Sequence, residues 1–388
     1  MLVVHVSLTP LAGSPIRIVS ALQRHTSVRA RLVNLAPNAY GTRRFPEDLD
    51  WSRDGDEARA EIARADVVHF HHWFEFGSDR NPFRFDFLGA MKRGARHLMH
   101  WHSSPEFTAR NAGVDASALQ TASLPQLVVA QYHERYYPQA LPVPLIVDHV
   151  HAAIPPERSA TPVPPVVFTP SQSLSWHAER WETKGKPEVA RILRELERRR
   201  VLRASIEQEL PFDACQRLRA TADIVIDDVV TGSFHTTSLE ALSMGKPTVC
   251  WLDARARAVL SELAGTTDLP IVDAPLQSLE RVLVELCAQR ALLHRLGRYA
   301  HDWMREYYRE EDMVARYVRA YDELLATGTL TPPARDEHAS ARDWLNAGLP
   351  DLIWSARRKR FHPHRLKLAL GRSVRGLRKR MEKRGGGA

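Results

Sequence analysis

From residue 2 to residue 252, short apolar runs of strand length alternate with amphipathic runs of helix length, and the alternation occurs twice with a break between. The first series is "LVVHVSL", helix "SPIRIVSALQRH", "VRARLVNL", helix "GDEARAEIARA", "DVVHFHHW", helix "DFLGAMKRG" and "RHLMHWHSS", with two further strands in "PQLVVAQYHERYY" and "PVPLIVD". Residues 151–164, "HAAIPPERSATPVP", are rich in proline and carry no periodicity, which predicts a linker. The second series is "PVVFTPS", helix "PEVARILRELERRR", "VLRASIEQ", helix "FDACQRLRATA", "DIVIDD", helix "TTSLEALSM" and "PTVCWL", and residues 277–325 read as mainly helical. Regular alternation requires crossover connections and so a parallel, doubly wound sheet. Two such sheets place a crevice between them, with ligands expected beyond the carboxyl ends of the strands. The predicted division is 1–155 for the first α/β domain, 156–326 for the second with its trailing helices, 327–356 for a linker and 357–388 for a basic tail.

Charge is distributed unevenly. The net charge is +8, yet residues 357–384 hold 13 of the 54 basic residues and one of the 46 acids, so that segment carries +12 and the rest −4. A mildly acidic body does not make the basic surface of a nucleic-acid-binding domain, and no specific nucleic-acid partner is expected. Cys215, Cys250 and Cys287 lie far apart without a CxxC pair, which fits a reducing compartment. "MLVVHVSLTPLAG" lacks a basic region before its apolar run, and no stretch has the length of a membrane span, so a cytoplasmic location is expected.

The stretch Thr231–Val249, "TGSFHTTSLEALSMGKPTV", places one acid, Glu240, in the helix that follows "DIVIDD". Two readings are open. Thr237 to Glu240 matches the S/T-x-x-E capping box, in which the glutamate turns back to the helix start. Alternatively, the helix N-terminus at the crevice mouth receives a diphosphate, and a carboxylate one turn inside accepts from sugar hydroxyls.

"GSFHTTSLEALSMGKPTV" resembles the donor-binding signature of retaining GT-B glycosyltransferases of the family 4 type. In that signature two glutamates separated by seven residues precede a "G-K/R-P-V" element, and the second holds the ribose of a nucleotide sugar. Glu240 matches the second; the position of the first is Gly232, and Ser233 and His235 replace the glycines that flank the loop phenylalanine, here Phe234. "VVFTPS" followed by "TKGKPEVARILREL" resembles the family's strand and "KG" helix opening, which implies Lys184 on the diphosphate. A lysine at a helix start is disfavoured by the dipole, so its placement calls for a reason. Arg180 is a candidate for the arginine the family often carries after the strand.

In the first half, "TPLAGSPIRIV" resembles the glycine loop between first strand and first helix, with Gly13 allowing close backbone approach, and "HWHSSPEF" resembles the family's His-containing loop, which implies a catalytic position for His102 near the donor sugar. Strand alternation puts His100 and His102 on one face, so sheet-packed histidines are the plainer reading. A metal set with His69, His71 and His72 lacks a carboxylate or thiolate, and no metal site is expected there. The resemblance implies GT-B architecture, no cofactor beyond the nucleotide-sugar substrate, and a diphosphate neutralised by Lys184 and the N–H groups near Thr236 and Thr237 without a metal ion; His235, where the family has glycine, is either a donor to a phosphate or, more plainly, a surface loop histidine. It implies a glycan or lipid-linked acceptor entering past Gly13 and His102. On the same scaffold, a nucleotide-sugar epimerase or hydrolase, or a noncatalytic binding protein, would use the same pocket, and an RNA-associated factor would act through the tail.

In the tail, Leu366, Leu370, Val374, Leu377 and Met381 recur at helical spacing among basic residues, with Trp344 and Trp354 upstream. A basic amphipathic helix is expected to lie on an anionic membrane surface.

Overall fold

The computed structural model describes residues 1–36, 45–72, 75–78, 81–132, 136–147, 164–171, 184–208 and 210–332. The linker at 151–164 lies almost wholly outside these residues, and Arg180, Trp344, Trp354 and the whole segment 333–388 with its amphipathic stripe lie entirely outside them.

The first half contains β1 (Leu2–Ser7), α1 (Ser14–His25), β2 (Arg29–Asn34), β3 (Leu49–Asp50), α2 (Gly55–Arg64), β4 (Val67–His71), β5 (Arg96–Trp101), α3 (Pro105–Ala112), α4 (Ala116–Gln120), β6 (Gln126–Val129) and β7 (Ala140–Val143). Its seven strands are ordered β3-β2-β1-β4-β5-β6-β7, every neighbouring pair parallel. The second half contains β8 (Val166–Ser171), α5 (Lys186–Arg198), β9 (Arg203–Gln208), α6 (Phe212–Thr221), β10 (Ile224–Ile226), α7 (Thr236–Ser243), β11 (Thr248–Cys250), α8 (Ala254–Ala264) and β12 (Ile271–Asp273). These five strands are ordered β12-β11-β10-β8-β9 and are likewise parallel. Helices α9 (Leu279–Ala288), α10 (Arg290–Tyr307) and α11 (Glu310–Thr327) close the described chain.

The strands read as continuous apolar runs because both faces are covered: all five residues of β4 are buried. Helix α5 shows the complementary logic, burying Val189, Ile192, Leu193 and Leu196 at i, i+3, i+4 and i+7. One core cluster joins the two halves, running from Val3, Ile18 and Leu22 through Leu127 and Ile146 to Phe234, Leu239, Leu260 and Trp303. Helix α11 returns to the first half: Tyr317 donates its hydroxyl to the carbonyl of Pro144 at 2.7 Å, and Glu310 pairs with Arg24 and His25 of α1.

Two expectations need correction. Residues 86–94 form turns rather than a helix: the Ala90 N–H reaches the Asp86 carbonyl at 3.0 Å, but the Met91 N–H bonds Leu88 three residues back instead of continuing the ladder, and Gly94 adopts a left-handed conformation two residues before β5. "PVPLIVD" gives strand only at its start, within β7, because Pro144 ends the ladder by lacking a donor.

Candidate active site

The carboxyl edge of the second sheet gathers most of the donor-side candidates. Lys184 and Gly185 take φ of 53° and 70°, two consecutive left-handed residues that turn the chain into α5. This turn brings the Lys184 ammonium to 3.7 Å from Asp227 Oδ1, just past the end of β10. Lys186, at the start of the helix, is buried and donates from Nζ to Thr169 Oγ1 at 2.8 Å and to the carbonyl of Asp227 at 2.7 Å. Burial lowers its pKa to about 8. The awkward placement of cations at a helix start thus has its reason in the Asp227–Asp228 pair they face.

Asp227 also accounts for the start of α7. Its Oδ2 accepts from the backbone N–H of His235 at 2.9 Å, from the N–H of Ser238 at 3.3 Å and from the Ser238 hydroxyl at 2.7 Å. Burial alone would raise this carboxyl, but Lys184, His235 and Lys186 hold it well below the ordinary carboxylate range. His235 Nδ1 stands 3.6 Å from Asp227 Oδ2 and 3.8 Å from Asp228 Oδ2. Asp228 in turn fixes the loop, accepting from the N–H groups of Val230 and Thr231 and from the Thr231 hydroxyl. Thr236 and Thr237 occupy the first turn of α7, where N–H groups have no carbonyl of their own helix to bond.

Glu240 does not close a capping box, because Asp227 supplies the carboxylate at the helix start. Instead it is 5% exposed and sits between two guanidiniums, Arg17 of α1 from the first half and Arg219 of α6 from the second. Burial tends to raise its pKa, and Arg219 and Arg17 more than reverse that, so it stays ionised below its ordinary value. Aromatic rings back both arginines: Phe212 lies 5.3 Å from the Arg17 guanidinium and Phe168 lies 5.9 Å from that of Arg219. Glu240 is therefore an ionic joint between the halves. Each of its oxygens has one arginine partner and, with two lone pairs, can still accept from a ligand hydroxyl.

The two glycines have steric reasons. Gly13 precedes α1 with φ of 81°, and a Cβ there would meet Phe45 Cδ1 at 2.7 Å. Gly232, at the position of the missing first glutamate, has φ of 78°, and a Cβ would meet that of Asp253 at 2.9 Å. A glutamate is therefore sterically excluded from this loop as it is folded.

Lys184, His235, Thr236 and Thr237 thus gather around Asp227, Glu240 follows one turn into α7, and Gly13 joins through α1 and Arg17. His102 is not among them: it hydrogen-bonds His71 at 2.8 Å on the first sheet, and among the described residues no hydrogen bond or ion pair links it to the Lys184–Glu240 group. Burial keeps its imidazole neutral, with a pKa well below the ordinary value. Sequence reasoning missed Arg17, Arg219, Lys186, Asp227 and Asp228. The acidic pair ending an apolar strand is a usable signal, as is Arg17 on the apolar face of α1; Arg219 offers none.

These two doubly wound halves facing a crevice define the GT-B fold. No family model and no curated protein matches the sequence. Among solved structures the chain is similar to an α-glucosyltransferase in complex with UDP and a 13-mer DNA containing a HMU base, at 12% identity and a TM-score of 0.51 over 82% of this chain and 99% of that one. It is also similar to an α-glucosyltransferase in complex with UDP-glucose and DNA containing an abasic site, at 10% identity and a TM-score of 0.51 over 83% of this chain and 99% of the other. Sucrose-phosphate synthase from Thermosynechococcus elongatus matches at 12% identity and a TM-score of 0.50, over 84% and 99% respectively.

Proposed function

We propose that the chain is a nucleotide-sugar-dependent glycosyltransferase of the retaining type, moving a hexosyl or related group to an acceptor hydroxyl in polysaccharide or glycolipid assembly. The observation that carries this reading is the grouping of Lys184, His235 and the first turn of α7 at the carboxyl edge of the second sheet, with a buried carboxylate one turn further on. In a doubly wound sheet this edge is where nucleotide phosphates lie, against a helix N-terminus. The GT-B fold, and similar solved structures bound to UDP and UDP-glucose, support the same reading.

In this mechanism Lys184, His235 and the N–H groups of Thr236 and Thr237 stabilise the charge that develops on the leaving diphosphate, which lowers the barrier because that charge is greater in the transition state than in the bound donor. Glu240, held by Arg219, accepts from ribose. His102, neutral and partly exposed, orients the acceptor from the first half, and Gly13 keeps the intervening loop close. No covalent glycosyl-enzyme is formed, since no side chain of the motif serves as nucleophile. The tail, 357–384, holds the protein on an anionic membrane face, each basic residue near the surface contributing ~1 kcal/mol; liposomes of phosphatidylglycerol should retain the full chain and release one lacking 357–388.

The test is a thermal-shift panel of UDP, GDP, ADP, dTDP and their glucose conjugates. A ligand that binds only the folded state at 100 times its dissociation constant stabilises it by about 2.7 kcal/mol. At least one nucleotide should raise the melting temperature, and Lys184→Ala should weaken that shift while leaving the ligand-free protein folded. A panel without any shift would refute donor binding. Retention is checked separately by the anomeric proton coupling of the product.

A further inference from the structure

The first sheet carries a histidine cluster of which the proposed function uses only His102. β1, β4 and β5 are adjacent parallel strands in which His5 is the register partner of His69, and His71 that of His100. Because side chains alternate along a strand, His69 and His71 share a face, as do His100 and His102, and the registry puts all five rings on one side of the sheet. His5, His69, His71 and His100 are fully buried.

Their contacts form two layers. In the outer layer His71 Nδ1 meets His102 Nε2 at 2.8 Å, while His100 Nε2 is buried without a hydrogen-bond partner. In the inner layer, His5 Nδ1 faces His71 Nε2 and His69 Nε2 faces His100 Nδ1, both at 3.0 Å. The inner pair converges on the Tyr321 hydroxyl of α11, His69 Nδ1 at 2.8 Å and His5 Nε2 at 3.4 Å. Ligand atoms of His71, His100 and His102 lie within 4.8 Å of one another.

We propose that His71, His100 and His102 form a binding site for one divalent first-row transition ion of the zinc type, with His5, His69 and Tyr321 as its supporting layer. Proton placement favours it. With His71 Nδ1 and His100 Nε2 as ligand atoms, each ring keeps its single proton on the far nitrogen, His71 donating to His5 and His100 to His69. His5 and His69 then place theirs toward the two lone pairs of the Tyr321 oxygen. Every imidazole remains neutral, each inner contact receives one proton, and the partnerless His100 Nε2 gains a partner. Outer partners that fix the tautomer of a ligating histidine are a general feature of such centres. Three imidazoles and no carboxylate suit zinc, cobalt or nickel better than magnesium or calcium. The alternative trio of His5, His69 and His71 also brings its ligand atoms within 4.8 Å. There, however, both nitrogens of each of the three rings already have partners. His102, the partly exposed member, is the side from which an ion enters and a fourth ligand is supplied.

This inference shares only His102 with the proposed function and its test uses no nucleotide, so a failure of metal binding leaves the donor site around Lys184 standing, and a nucleotide panel without a shift leaves the metal site standing. Full-length protein dialysed against a chelator is titrated with Zn²⁺ by calorimetry and with Co²⁺ by visible absorption. The expected result is one saturable equivalent, intense four-coordinate cobalt bands and a melting temperature raised by Zn²⁺. His102→Ala and His100→Ala should each abolish the bands, whereas His69→Ala should weaken affinity by roughly 10–100-fold. His25→Ala, away from the cluster, should change nothing. Absence of a saturable equivalent in the wild-type chain overturns the proposal outright. So does retention of the bands in His102→Ala, whose partly exposed position keeps the variant folded even if His100→Ala unfolds, and loss on His5→Ala with retention in His102→Ala would move the site to the inner trio.

Discussion

Replacing Glu240 by alanine separates the ionic joint from every simpler role for this residue. Arg17 and Arg219 are 5% and 3% exposed, so deleting the carboxylate strands two guanidiniums away from water. Breaking a buried pair by removing one partner costs about 3–5 kcal/mol, because the remaining charge keeps its desolvation cost and loses its compensation. A capping-box glutamate would be worth about 1 kcal/mol, and its loss would be indifferent to Arg17. The difference is large enough to measure. In urea unfolding followed by tryptophan fluorescence, Glu240→Ala should lose stability by at least about 3 kcal/mol, and Glu240→Gln, which keeps an acceptor oxygen without the charge, should lose less. The decisive measurement is the cycle with Arg17→Met. If the joint spans the two halves, Arg17→Met in the Glu240→Ala background should recover stability, giving a coupling energy above roughly 1 kcal/mol. Additivity of the two substitutions within about 0.5 kcal/mol, or an alanine variant as stable as the wild type, would refute the joint. A nucleotide that still raises the melting temperature of Glu240→Ala, which has no acceptor oxygen, as much as that of the wild type would remove ribose binding from this residue.

Two further outcomes follow from the same site. Gly232→Glu, which restores the first glutamate of the signature this chain resembles, should destabilise the protein by roughly 1–2 kcal/mol rather than improve activity, since an L side chain at left-handed φ is strained and Asp253 blocks the Cβ; circular-dichroism melting checks it, and a neutral result would show that the loop rearranges. Lys186 gives a pH signature: its folded pKa of about 8 lies below the unfolded 10.5, so between those values the unfolded chain holds a proton that the folded one has released, and stability should rise with pH. Between pH 7.5 and 10 the wild type should gain roughly 2 kcal/mol relative to Lys186→Met, measured by urea midpoints, and parallel curves for the two proteins would refute the assignment.

How much of this was legible in the sequence depends on the range of the forces involved. Both sheets were visible because an apolar run of strand length between amphipathic helices has few alternatives, and parallel pairing then follows from the crossovers. β3, with two residues, is too short to leave a periodic trace, and its partner β2 defines it. The segment 86–94 fits a helical pattern over nine residues, and only its backbone bonding, which changes register after Ala90, makes it a turn.

The site divides along the same line. Lys184, His235 and Glu240 stand within recognisable local patterns, so they could be named before any coordinates. What each of them touches could not. Arg17 and Glu240 are separated by 223 positions, and Arg17 occupies a buried face of α1 beside Ile18 and Val19, where a charged residue contradicts the helical pattern unless a partner arrives from elsewhere. The histidines show the intermediate case: alternation placed His100 and His102 on a common face, but bringing His5 and His71 to them required the strand order β1-β4-β5, which is not a local property. His72, which had been grouped with His69 and His71, falls at φ of 68° just past the end of β4 and leaves the shared face. Local chemistry therefore identified candidates, while the topology of the first sheet selected which histidines meet and the packing of α1 on the second half gave Glu240 its partner.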